Sequence, residues 1–244
     1  MNLIQNELMR AWLLAKRTPF HYALGCLFLA AFFFAFQAGY RYVDAGTHDG
    51  AVNAYIIWLI AASGLSFASG EIEKDIQKRV LQHIYLSGSS LQLLTAVRSG
   101  IGIIHSVAVV VVVALLIALI SGGVRFDFRL TSFVAIIDAV VIGLAFGWAS
   151  SGVALLFRPT PLVLLPVQFL LMISVAIHDW HPGWGMWITL LLPLTPASIV
   201  LSSGNLTLML GCIMGIQAIV YVGLGVFALQ FCEALARRRG SLMA

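Results

Sequence analysis

Charge is what this chain lacks most. Asp, Glu, Lys and Arg make up 10% of its residues against 61% hydrophobic ones, whereas a soluble domain carries about a quarter charged residues. A soluble α/β fold is excluded on that ground. The uncharged residues are also bunched: 23 run from Thr18 to Tyr40, 21 from Gly50 to Gly70, 26 from Ser99 to Val124 and 20 from Pro159 to His178. About 20 apolar residues in a helix cross a hydrocarbon layer of ~30 Å, and backbone in lipid must satisfy its own hydrogen bonds. The chain is therefore expected to be an all-α polytopic membrane protein, one transmembrane domain over residues 1–244.

Other absences narrow the function. Cys26, Cys212 and Cys232 are the three cysteines; without metal-ligand spacing and placed in or beside apolar stretches, they are expected to be small apolar filler. The chain has no G-x-x-x-x-G-K-[ST] run, so it cannot cradle a nucleotide by that loop. No fixed-period repeat appears, and the inverted repeats of many secondary carriers are not evident. A polar, amphipathic start without a small-residue cleavage site marks the first apolar stretch as a retained span rather than a signal peptide.

Six spans follow from what is present, at about 21–40, 52–70, 100–120, 133–157, 162–177 and 206–231. With that layout, eleven Lys and Arg residues fall on one side and only Arg41, Arg125 and Arg129 on the other. Basic loops stay in the cytoplasm, so both termini are expected there. Leu3, Ile4, Leu8, Ala11, Trp12 and Ala15 recur at helical spacing, which suits a helix over residues 1–18 lying in the headgroup plane with Trp12 as an anchor. Arg158, Pro159 and Pro161 make a cytoplasmic turn.

Residues 71–98 form the only extended charged passage. Ile72, Ile76, Val80 and Ile84 recur every fourth residue while Glu71, Glu73, Lys74, Asp75, Lys78 and Arg79 fill the other faces, which predicts an amphipathic cytoplasmic helix from about Glu73 to Leu86. Ser87 to Ser90 break it, and a short helical piece, Leu91 to Arg98, leads to the third span. Trp180 to Cys232 then runs 53 residues without a formal charge. Two crossings there would put Arg237, Arg238 and Arg239 outside and run Pro193 and Pro196 through a span. A re-entrant helical hairpin over 184–202 is expected instead, covered by protein or bordering a cavity.

In this order the chain resembles the membrane-spanning subunit of type-2 ABC exporters, which have an interfacial N-terminal helix, six spans, a cytoplasmic coupling helix after span two and a broken segment before span six. The passage from Glu71 to Ser87 resembles the family's acidic-basic segment after span two. Leu192-Pro193-Leu194-Thr195-Pro196 resembles the proline-containing stretch before the last span. Lys78-Arg79, where the family often has Gly-Thr, and Ser87-Gly88, where it often has Ser-Pro, depart from the pattern. The resemblance implies a permease rather than an enzyme, in the bacterial inner (plasma) membrane, moving an amphiphilic, lipid-linked or small hydrophobic cargo. It implies two cytoplasmic ATP-binding partner subunits that hold ATP and Mg, and a second copy of this or a similar permease. No cofactor, metal or nucleic acid is expected for this chain itself. Glu73, Asp75, Ile76, Lys78, Arg79 and Val80 would make the ATPase contact.

Cargo selection is expected within the spans, because the outer loops are short. Trp58, Ser63, Ser66, Phe67, Gln168, Phe169 and Met172 pair aromatics with a few polar groups, as suits an amphiphile. Asp138 is the one formal charge within a span, near enough to the outer boundary to snorkel or to pair with Arg125 or Arg129. A structural or gating role is expected of it. The alternatives are a proton-coupled carrier, or an intramembrane enzyme using Asp138 or the group from His178 to His181. That outer group, with Trp180 and Trp184, fits an aromatic belt better than a metal site. Asn205-Leu206-Thr207 matches a glycosylation acceptor by chance. Small residues recur at Ala139, Gly143, Gly147 and Ser151, at Ala62, Ser66 and Gly70, and at Gly211 and Gly215, which predicts three helix-packing faces.

Overall fold

A computed structural model describes residues 3–43, 48–77, 90–121, 130–157, 161–176 and 191–238. Helix α1 (Leu3–Arg17) ends at Thr18, and α2 (Pro19–Val43) begins on a proline, whose fixed φ and missing N–H suit the first helical position. Next come α3 (His48–Gln77), α4 (Leu91–Ser121) and α5 (Leu130–Leu156). Ser90 caps α4, its hydroxyl accepting the Leu93 N–H at 3.2 Å and thereby satisfying one of the orphan amides of the first turn. α6 (Pro161–Ala176) again opens on proline, and α7 (Thr195–Ser203) and α8 (Leu208–Arg238) complete the order.

Among the described residues all regular structure is helical, and α2, α3, α4, α5 and α8 are long and apolar enough to cross a membrane. That is the make-up of an integral membrane protein. α6 is apolar but shorter. Two expected boundaries move. Residues 71–77 are the last turns of α3 rather than the start of a separate helix, and Leu91 to Arg98 is continuous with the span that follows. Gly70 and Gly100 stand at the two junctions, and the helices run on through both. Residues 78–89 and 177–190 lie outside the described residues, so the expected helix beyond Gln77 and the first half of the expected hairpin are not seen.

α5 is the centre of the bundle, packed between α3 and α8. The approach is close enough to exclude a Cβ. A methyl added at Gly143 would lie 2.8 Å from the Ala61 carbonyl oxygen, and one at Gly225 would lie 2.3 Å from that of Ala145. Ser150 reaches the Leu65 carbonyl further along, and Gly152 meets Ala228 and Leu229. Residue numbers rise together at both interfaces, so α3, α5 and α8 run in the same direction. Of the three expected small-residue faces, the one in α5 is a packing face. Ala62 is buried and Ser66 meets α6 while both border a cavity, whereas Cβ atoms at Gly70 and Gly215 would meet nothing within 4 Å.

α7 sits where α6 finishes and α8 begins. Thr195 and Ser198 donate to the carbonyls of Ser174 and Val175 at 3.0 and 2.7 Å, in the last turn of α6. Leu194, fully buried, holds φ at 69° just before α7, a left-handed conformation that costs a non-glycine residue about 1–3 kcal/mol and persists only where the surroundings fix it. At the opposite end of the bundle, Ile72, Leu91, Leu94, Ala154, Leu155, Leu229 and Ala236 form a second apolar cluster, tying the ends of α3, α5 and α8 to the start of α4.

Candidate functional site

The polar side chains of α3 and α6 meet beneath α2. Trp58 Nε1 donates to the Gln168 carbonyl at 3.2 Å, Gln168 Nε2 donates to Ser66 Oγ at 2.9 Å, and Ser66 Oγ donates to the Ala62 carbonyl at 2.8 Å. Each residue is one that an all-leucine span would not need, and together they cross-link two helices through an apolar wall. They border a cavity of about 390 Å³ whose lining includes Phe28, Phe32, Trp58, Ser63, Phe169 and Met172. The aromatic wall is continuous: Trp58 lies 5.7 Å from Phe32 and 5.4 Å from Tyr55, ring centre to ring centre. Ligand cavities of roughly 300–1,000 Å³, mostly apolar with a few placed polar groups, are the common pattern for small amphiphiles.

Six of the seven expected path residues line this one cavity. The seventh, Phe67, lines a neighbouring cavity of about 550 Å³ with Tyr22, Glu71, Lys74 and His105, and the two cavities share Leu29, Ser63 and Ser66. Gln168→Leu should lower the unfolding free energy by about 0.6–1.7 kcal/mol, the range for a hydrogen bond between membrane helices. Thermal unfolding in detergent measures it.

A second constellation was not legible as a unit in the sequence. Arg98 Nη1 donates to Asp75 Oδ2 at 2.5 Å, while Nε and Nη2 donate to the two oxygens of Glu7 at 3.3 and 3.2 Å. The Arg98, Asp75 and Glu7 side chains are 3%, 1% and 14% exposed. This buried guanidinium joins α1, the end of α3 and the start of α4. Charged groups are kept out of water only when paired and bonded, and the planar fork of arginine suits a bidentate carboxylate. Glu7 thus turns inward while Leu8, Met9, Trp12 and Leu13 of α1 stay exposed, as expected of a helix with one face in lipid.

The expected coupling residues divide. Asp75 faces Arg98, and Ile76 packs on the second apolar cluster, so both are turned into the membrane domain; Glu73 is half-buried. Lys78, Arg79 and Val80 lie outside the described residues, as do Arg125, Arg129 and the group from His178 to His181. Asp138 is 5% exposed, so it does not snorkel. The reason is its place on α5: Asp138, Ala145 and Gly152 are seven apart and share one stripe, and the latter two touch α8. Asp138 Oδ2 has no hydrogen-bond partner among the described residues. Gln217 of α8, also buried, donates its Nε2 to the Leu192 carbonyl at 3.3 Å. Cys26 and Cys232 are buried and Cys212 is exposed. Among the described residues no group of three metal-ligating side chains occurs. Compared with known proteins, the chain matches no family model, no curated protein and no solved structure.

Proposed function

We propose that this chain is the membrane-spanning permease subunit of an ATP-driven exporter of the type-2 ABC layout, carrying an amphiphilic cargo. The observation that carries the proposal is the joint made by Arg98. It locks the N-terminal helix to the root of the charged passage, and that passage continues α3, the helix that forms the floor of both cavities. A push delivered at the end of α3, at Gln77, would reach the cavity along that helix. Six crossings fit this reading, with α6 as the fifth and α7 as the inner arm of a re-entrant segment. Arg237 and Arg238, at the end of α8, then lie in the cytoplasm beside the second apolar cluster.

ATP and Mg belong to separate cytoplasmic subunits, two per assembly, with a second permease copy completing the path. Purified alone, the chain should hydrolyse no ATP. Co-expressed with its ATPase, it should give a stable complex in which cargo accelerates turnover; failure to bind any ATPase counts against the proposal. Reversing the charges of Lys78 and Arg79 should lower transport on the order of tenfold, the size of a coupling free energy of about 1–3 kcal/mol, while ATP turnover persists. Unchanged coupling would remove these residues from the contact.

Asp138 favours a second reading, a proton-coupled carrier, because one carboxylate oxygen is buried without a partner among the described residues. Asp138→Asn separates the two. An ATP-driven exporter keeps its transport, whereas a carrier loses transport driven by a proton gradient.

A further inference from the structure

The two cavities adjoin along α3 as a groove of two chambers. They share Leu29, Ser63 and Ser66 where α2 passes over α3. From Trp58 to Lys74 the floor rises through 16 residues of α3, about 24 Å at 1.5 Å per residue. Its chemistry changes along that length. Phe28, Phe32, Phe169 and Met172 wall one end, and Thr18, Tyr22, Glu71, Lys74 and His105 the other. An ion or a sugar would have no use for the first end, and a hydrocarbon none for the second.

The charged end has a sign pattern. Lys74 Nζ lies 2.7 Å from Glu71 Oε1, with the lysine half exposed and the glutamate mostly covered. Glu71 has a further interaction besides Lys74, but an ammonium has three donors and an ionised carboxylate about four acceptor sites, so one partner more does not exhaust either. A phosphate oxygen can take the remaining Lys74 donors while a ligand amine donates to Glu71. A purely anionic headgroup would take Lys74 but set its charge against Glu71, the kind of like-charge juxtaposition by which sites reject the wrong partner.

We propose that this groove binds a phospholipid with a zwitterionic, amine-bearing headgroup, with Lys74 and Glu71 holding the headgroup and the chamber at Trp58 taking an acyl chain, a cargo class that presupposes the exporter reading above. The occupant enters from the leaflet in which α3 ends.

The test uses the full chain reconstituted in vesicles doped with phosphatidylethanolamine bearing a photoreactive acyl chain, alongside phosphatidylglycerol with the same chain. Adducts are located by mass spectrometry. The expected result is adducts on peptides containing Trp58, Phe169 or Met172, with the ethanolamine lipid favoured about fivefold, the scale of one partly exposed charge pair. Glu71→Gln should abolish the preference by raising labelling with the anionic lipid, and Lys74→Gln should weaken labelling by both lipids. Exchanging the two charges, Glu71→Lys with Lys74→Glu, should restore the preference, which a merely misfolded groove would not. Equal labelling by the two headgroups, adducts confined to other helices, or a preference unchanged by Glu71→Gln would overturn the proposal. Labelling requires no ATPase. Intact labelling without ATPase association therefore sinks the exporter reading alone, and the converse sinks the lipid assignment alone.

Discussion

Replacing Arg98 by methionine is expected to lower the unfolding free energy by about 3–5 kcal/mol, because it removes the buried cation that two carboxylates face. Asp75 is 1% exposed, so it cannot recover water in place of the guanidinium. Glu7 is 14% exposed, and Glu7→Gln should cost clearly less, since Arg98 keeps Asp75. The triple variant with methionine at 98, asparagine at 75 and glutamine at 7 should regain much of the loss, as replacing a whole buried ion group with neutral residues often does. Denaturant unfolding in detergent measures all three. Equal losses for Arg98→Met and Glu7→Gln would show that Asp75 is not held by Arg98. In the proposed exporter, Arg98→Met should also detach α1 from the end of α3 and depress transport more than ATP turnover.

The second large effect belongs to Gly225. Its added methyl would sit 2.3 Å from the Ala145 carbonyl oxygen, a backbone atom that no side-chain rotation can move aside. α5 and α8 must part, and overpacking of this kind costs about 1–3 kcal/mol or more. Gly225→Ala is therefore expected to lower the melting temperature in detergent, while Gly215→Ala in the same helix, with nothing within 4 Å of its new methyl, should be neutral or gain up to about 1 kcal/mol of helix propensity. Equal behaviour of the two variants would contradict the close α5 to α8 approach.

These two sites also show what the sequence could and could not tell. Charge-free stretches located the helices, because bilayer thickness acts on length and composition alone. Trp58, Ser66 and Gln168 stood out because aromatics beside a few polar groups suit an amphiphile; their hydrogen bonds to one another could not be read from spacing. The Arg98 joint did not stand out. Its partners are 23 and 91 residues away, and Asp75 is one of several acids on the charged faces of a passage expected to meet an ATPase. Gly152 and Gly225 escaped notice for a related reason. A four-residue ladder searches one helix for a repeating face, whereas these glycines are set singly by the register of α8 on α5. Asp138 looked free to snorkel until the stripe it shares with Ala145 and Gly152 turned it toward α8.

The account depends most on the side of the membrane where the charged passage between α3 and α4 lies. With Cys26, Cys212 and Cys232 replaced by alanine and a single cysteine introduced at Lys78, a membrane-impermeant maleimide measures that side directly. The expected result is labelling in inside-out vesicles and none in intact cells. Labelling in intact cells would place the passage outside, beyond reach of any cytoplasmic ATPase, and would contradict the account.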